Sequence, residues 1–110
     1  MKLACIPAFN AEKTIGKVVK DSLKYVDEVI VCDDGSIDDT AKAAKDNGAK
    51  IIVHEKNLGY GAALITLFEE ARKKNADVMI TLDSDGQHNP NEISKFLEAI
   101  QRKNTRNFWN

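Results

Sequence analysis

Long apolar runs, a dominant sign of charge, and abundant cysteine or proline are all missing from this chain of 110 residues. No apolar stretch approaches the ~18 residues of a membrane-spanning helix. The opening Met1-Lys2-Leu3-Ala4-Cys5-Ile6-Pro7 is too short for the apolar core of a signal peptide. A cytoplasmic chain is therefore expected. Lys and Arg number 16 against 17 Asp and Glu, interspersed, which leaves no basic footprint and no expected nucleic-acid partner. Cys5 and Cys32 both fall inside apolar runs. A disulfide or a metal role for them is set aside in favour of two small buried hydrophobes kept reduced. With 43% hydrophobic residues, there is material for one domain with one core, burying about two-thirds of the chain's surface.

What the chain does have is a regular alternation. Leu3 to Ile6 is a short apolar run closed by Pro7, and Glu12 to Tyr25 carries Ile15, Val18, Val19 and Leu23 at helical spacing. Glu28 to Cys32 is a second strand stopped by the polar turn Asp33-Asp34-Gly35-Ser36. A helix over 40–47 follows, capped by Asp38 or Asp39 and ended by Gly48. Lys50 to His54 is the third strand, 62–74 the third helix, 77–82 the fourth strand and 90–102 a fourth helix. Continuous apolar strands separated by helices predict an α/β fold: an open, parallel, doubly wound, Rossmann-like sheet of about four strands. The domain spans 1–102. Residues 103–110, with Phe108 and Trp109, form an irregular tail.

The unusual residues collect at the carboxyl ends of the strands, where such sheets bind ligands. Asp83-Ser84-Asp85 ends the fourth strand. In an extended segment residues i and i+2 share a face, so both carboxylates would meet at one spot. They would repel unless a cation lay between them, and Mg²⁺ or Mn²⁺ suits such hard oxygens. The same triplet also reads as a plain turn. Gln87 adds a further oxygen, whereas His88 reads as a surface histidine. Asp33-Asp34-Gly35-Ser36 also reads as a turn, but it lies at the rim of the second strand, where a carboxylate suits a ribose or a base N–H. Gly59-Tyr60-Gly61-Ala62-Ala63 opens a helix whose first amides suit phosphate, although close helix–sheet packing explains the small residues equally well.

Four segments, Ile6 to Ile15, Val31 to Thr40, Asn57 to Leu64 and Leu82 to His88, together resemble the family 2 glycosyltransferases of GT-A fold. The Gly-Tyr-Gly-Ala-Ala and Asp-Gly-Gln-His details look most like the dolichyl- or polyprenyl-phosphate mannose and glucose synthases. The resemblance implies that Pro7, Phe9, Asn10 and Glu12 line the base and ribose pocket. It implies that Asp34 binds base or ribose while Gly35 and Ser36 shape the rim. Asp83, Ser84 and Asp85 match the family's DxD motif, with Asp83 shared between nucleotide and ion, Asp85 holding the ion that bridges the diphosphate, and Gln87 a further ligand. A UDP- or GDP-sugar and a polyprenyl or dolichyl phosphate acceptor are the implied partners, which would bring the chain to a membrane surface. Phe9 stands where tyrosine is common, and Ala11 where the lipid-phosphate branch often has glutamate. Members of the family extend well past the metal motif, so the resemblance covers the nucleotide-binding half alone, without the acceptor side and any catalytic base. Little transferase activity is expected from this half. The alternatives are a non-catalytic nucleotide-sugar-binding module, completed by another chain, or a degenerate fragment that only associates with itself through the fourth strand's edge.

Overall fold

The computed structural model describes residues 1–86 together with 93, 95 and 97–99. Within them the order is β1 (Lys2–Ala8), α1 (Ile15–Ser22), β2 (Glu28–Asp34), α2 (Thr40–Asp46), β3 (Lys50–His54), α3 (Tyr60–Lys73) and β4 (Val78–Thr81). The sheet is parallel in the order β3-β2-β1-β4, as expected for a doubly wound α/β fold. Successive strands first march outward from β1 to β3, and the chain then returns to place β4 on the other side of β1. Between β1 and β4 the winding reverses, and their carboxyl ends part to open a crevice. Residues 93, 95 and 97–99 are helical, inside the expected fourth helix, and Ile93 is buried.

The pleat divides the core. Ala4, Ile6 and Ala8 of β1 with Val29 and Val31 of β2 face α1 and α2. Leu3, Cys5, Ile30 and Cys32 face α3 through Ala63, Leu67 and Ala71. Both cysteines are free and buried. Burial, aided by Glu28 and Glu70, pushes the Cys5 thiol up to about 12, so it stays a neutral hydrophobe.

Several boundaries differ from expectation, each for a physical reason. β1 does not stop at Pro7 but continues to Ala8, with Pro7 opposite Cys32. The Leu82 N–H donates to the Cys5 carbonyl, so alternate residues 3, 5 and 7 aim at β4. Since β4 ends at Thr81, the missing N–H of proline falls beyond the ladder. Asp33 and Asp34 are not in a turn: they are the buried last residues of β2, paired with Val53 and His54. α1 begins at Ile15 rather than Glu12, because residues 10–12 are tied to the loop after β2. α3 begins earlier than expected, at Tyr60, after Gly59 turns the chain at φ 104°.

Candidate functional site

A cavity of about 350 Å³ lies at the carboxyl ends of β1 and β2, beside the start of α3 and the loop after β4. Pro7, Ala8, Phe9, Asp34, Asp83, Ser84 and Asp85 line it, with Asn57, Gly59, Tyr60 and Ala63 opposite. The pleat explains who faces it. Asp34 follows Cys32 by two residues and so lies on the α3 side, while Asp33 lies on the other and accepts the Ser36 N–H at 3.0 Å.

Asp34 is buried and heavily hydrogen-bonded. Its Oδ1 accepts from the Leu58 N–H at 2.9 Å and meets His54 Nδ1 at 2.8 Å, and its Oδ2 accepts from the Gly59 N–H at 2.8 Å. Burial raises its pKa, but the His54, Leu58 and Gly59 bonds together outweigh burial and hold the carboxyl below its ordinary value. The Gly59 amide, one of those expected to be available for phosphate, is thus spent on a carboxylate, as is that of Leu58 before it.

Asp83, Ser84 and Asp85 lie beyond β4, in a turn rather than the extended segment anticipated. They nevertheless reach the same cavity wall. The Thr14 hydroxyl, at the start of α1, donates to the Ser84 carbonyl at 2.6 Å and straps this turn to the body of the domain. Among the described residues no three His, Cys, Asp or Glu side chains gather to hold a metal by themselves. The donor set suits a hard divalent ion that takes few protein oxygens and fills its shell with phosphate and water.

Other expected site residues are placed elsewhere. The Asn10 N–H donates to Ser36 Oγ at 2.8 Å, and Asn10 Oδ1 accepts from the Ile37 N–H at 3.0 Å. Asn10 and Ser36 therefore join two loops outside the cavity lining. Glu12 lies in a separate shallow depression, its N–H donating to Asp38 Oδ2 at 3.3 Å. Gly35 also stands outside the lining and passes close to the backbone of Lys56 and Asn57. Asp38, not Asp39, accepts the Thr40 N–H. Gln87 and His88, like the tail 103–110, lie outside the described residues. Tyr60 and Ala63, from the helix start considered for phosphate, line the cavity, as do Ala8 and Asn57, to which no role was assigned from sequence. Asn57 had a signal, since it lies in the glycine-containing loop on the rim, whereas Ala8 has no polar group that would mark it.

Residues 3–109 match the profile of glycosyl transferase family 2. The chain belongs to that family. It is 38% identical, over 86% of its length, to the UDP-N-acetylglucosamine–dolichyl-phosphate N-acetylglucosaminyltransferase of Methanococcus voltae, of which it covers 45%. It is 31% identical, over 90% of its length, to an undecaprenyl-phosphate mannosyltransferase of Micrococcus luteus, covering 44% of that protein. The glucosyl-3-phosphoglycerate synthase of Mycobacterium tuberculosis, solved with Mn²⁺, UDP and glucosyl-3-phosphoglycerate, superposes with a TM-score of 0.64 at 30% identity. That match covers 76% of this chain and 33% of the synthase. The family's GT-A fold is thus the fold seen here. The chain spans less than half the length of the curated relatives it matches.

Proposed function

We propose that these residues form the donor side of an inverting glycosyltransferase, binding a nucleoside-diphosphate hexose with Mg²⁺ or Mn²⁺ for transfer to a lipid phosphate. The observation that carries this reading is one cavity lined by Asp34, Phe9, Asp83 and Asp85 together. The relatives named for dolichyl- and undecaprenyl-phosphate transfer, and the synthase solved with UDP and Mn²⁺, support it.

Phe9, half exposed on the wall, offers a ring face for the base. Asp34 is an acceptor only and selects a base or ribose edge that donates a hydrogen. Asp83 and Asp85 would hold the divalent ion, which when bound offsets charge on the departing diphosphate. Ser84 stays fixed by Thr14 between them. In the transfer an acceptor oxygen forms its bond to the sugar's anomeric carbon from the face opposite the diphosphate. The bond from that carbon to the diphosphate breaks, and its electron pair leaves with the nucleotide. A phosphate acceptor is already an anion and needs little help from a base.

No helix of the described residues is long and apolar enough to cross a membrane. A lipid-phosphate acceptor would instead be met at the membrane surface. Calorimetry with UDP, GDP and their sugars, with and without Mn²⁺, tests the reading. One nucleotide should bind, more tightly with the ion, and failure of both to bind would refute it. Adding a polyprenyl phosphate then tests for transfer, which we expect to be weak or absent with these residues alone.

A further inference from the structure

We propose that His54 is a positioning residue for nucleotide recognition: as its Nδ1–H tautomer it orients the Asp34 carboxylate toward the bound base or ribose. The inference rests on reading the cavity as a nucleoside-diphosphate site and deepens that reading by one residue.

His54 is the last residue of β3, and the parallel register sets it beside Asp34, the last residue of β2. Neighbouring strand ends and a common face bring ring and carboxylate together, with side-chain exposures of 11% and 5%. Nδ1 lies 2.8 Å from Asp34 Oδ1, and Nε2 lies 2.8 Å from Thr66 Oγ1 on α3. Cys32 Sγ also lies 3.6 Å from Nε2. Asp34 is held as a carboxylate and only accepts, so the ring proton belongs on Nδ1. Nε2 then accepts from the Thr66 hydroxyl, and the imidazole is fixed at both ends between sheet and helix.

The carboxylate arithmetic gives this bond its consequence. A carboxylate has about four acceptor positions. Among the described residues, His54 and the Leu58 N–H take two on Oδ1, and the Gly59 N–H takes one on Oδ2. One position on Oδ2 remains for a donor entering the cavity that Asp34 lines. Without His54, the two amides alone would hold the carboxylate, and it would be freer to rotate. His54 itself does not line the cavity, so it acts through Asp34.

The test compares His54→Leu, which removes the donor, with His54→Asn, whose amide nitrogen can take the place of Nδ1. Affinities for the nucleotide bound by the wild type and for pyrophosphate, each with Mn²⁺, are measured beside thermal stability. Nucleotide affinity should fall about tenfold in His54→Leu and recover at least in part in His54→Asn, with pyrophosphate affinity unchanged. Equal nucleotide affinity in a folded His54→Leu would overturn the proposal. So would an equal loss for pyrophosphate, or an Asn variant no better than Leu. Should His54→Leu not fold, imidazole ¹⁵N shifts of the wild type decide: an Nδ1–H ring with nucleotide bound supports the role, and an Nε2–H ring refutes it. A wild type that binds pyrophosphate but neither UDP nor GDP would instead refute the donor-site reading, an outcome separate from these.

Discussion

At the scale of single residues, the rim is held by a few side chains with backbone partners, and each carries a distinct consequence. Gly35 has φ +76°, and a Cβ there would lie 2.5 Å from backbone atoms of both Lys56 and Asn57. Gly35→Ala therefore combines backbone strain with an overlap that no side chain can relieve. Urea unfolding should show a loss on the order of 3 kcal/mol. Asp85→Ala acts on chemistry instead: it should abolish the Mn²⁺-dependent gain in nucleotide affinity and leave the metal-independent part, as read by calorimetry. Asp34 is one source of acid sensitivity. Its folded pKa is depressed, so its contribution to stability is complete above the ordinary carboxylate value, about 3.9, and is lost as pH falls through the lower folded value. Acid unfolding of Asp34→Asn should accordingly show a shallower pH slope below about pH 4 than the wild type.

At the scale of elements, the loops after β1, β2 and β4 are interlocked, and the helix starts serve as their anchors. The Ala11 N–H donates to Thr40 Oγ1 at 2.8 Å, while Thr14 reaches the Ser84 carbonyl at 2.6 Å. Thr14→Val keeps the shape of α1's first turn but removes the strap on the acidic turn. The expected result is a nucleotide affinity whose Mn²⁺ enhancement falls several-fold, with about 1 kcal/mol lost in unfolding. α3 is tied differently, by packing: Leu67 is fully buried against one face of the sheet. Leu67→Ala should cost about 2–5 kcal/mol through the cavity it leaves, measurable as a shifted urea midpoint. The existence of all these elements was legible from periodicity. The ends of β3 were legible too, but those around the rim were not, because Asn10, Glu12 and Asp34 spend their polar groups on other loops, and no local pattern records a partner more than twenty residues away.

At the scale of the whole molecule, the order β3-β2-β1-β4 makes β1 the strand beside which the winding turns, and β4 an edge among the described residues. The cavity opens where the carboxyl ends diverge, so a ligand there touches loops from both sides of the reversal. Nucleotide with Mn²⁺ should thus stabilise the fold by mass action, by about 2.7 kcal/mol at a hundred times its Kd. Thermal melts with and without ligand check this, and Asp85→Ala should lose the metal-dependent part of the gain. Sequence alone determined the α/β alternation, because continuous β-branched runs and helical spacing are local consequences of burial on one or two faces. It also placed Pro7, Phe9, Asp34 and Asp83 to Asp85 at strand ends, because apolar runs stop where polar rims begin. Only tertiary structure decided which rim residues face one another. Strand order and pleat parity put Asp34 on the α3 side, pair it with His54, and turn Asn10 and Ser36 into ties between loops. Those are long-range geometric facts, set by which strands lie side by side rather than by any residue's neighbours in the chain.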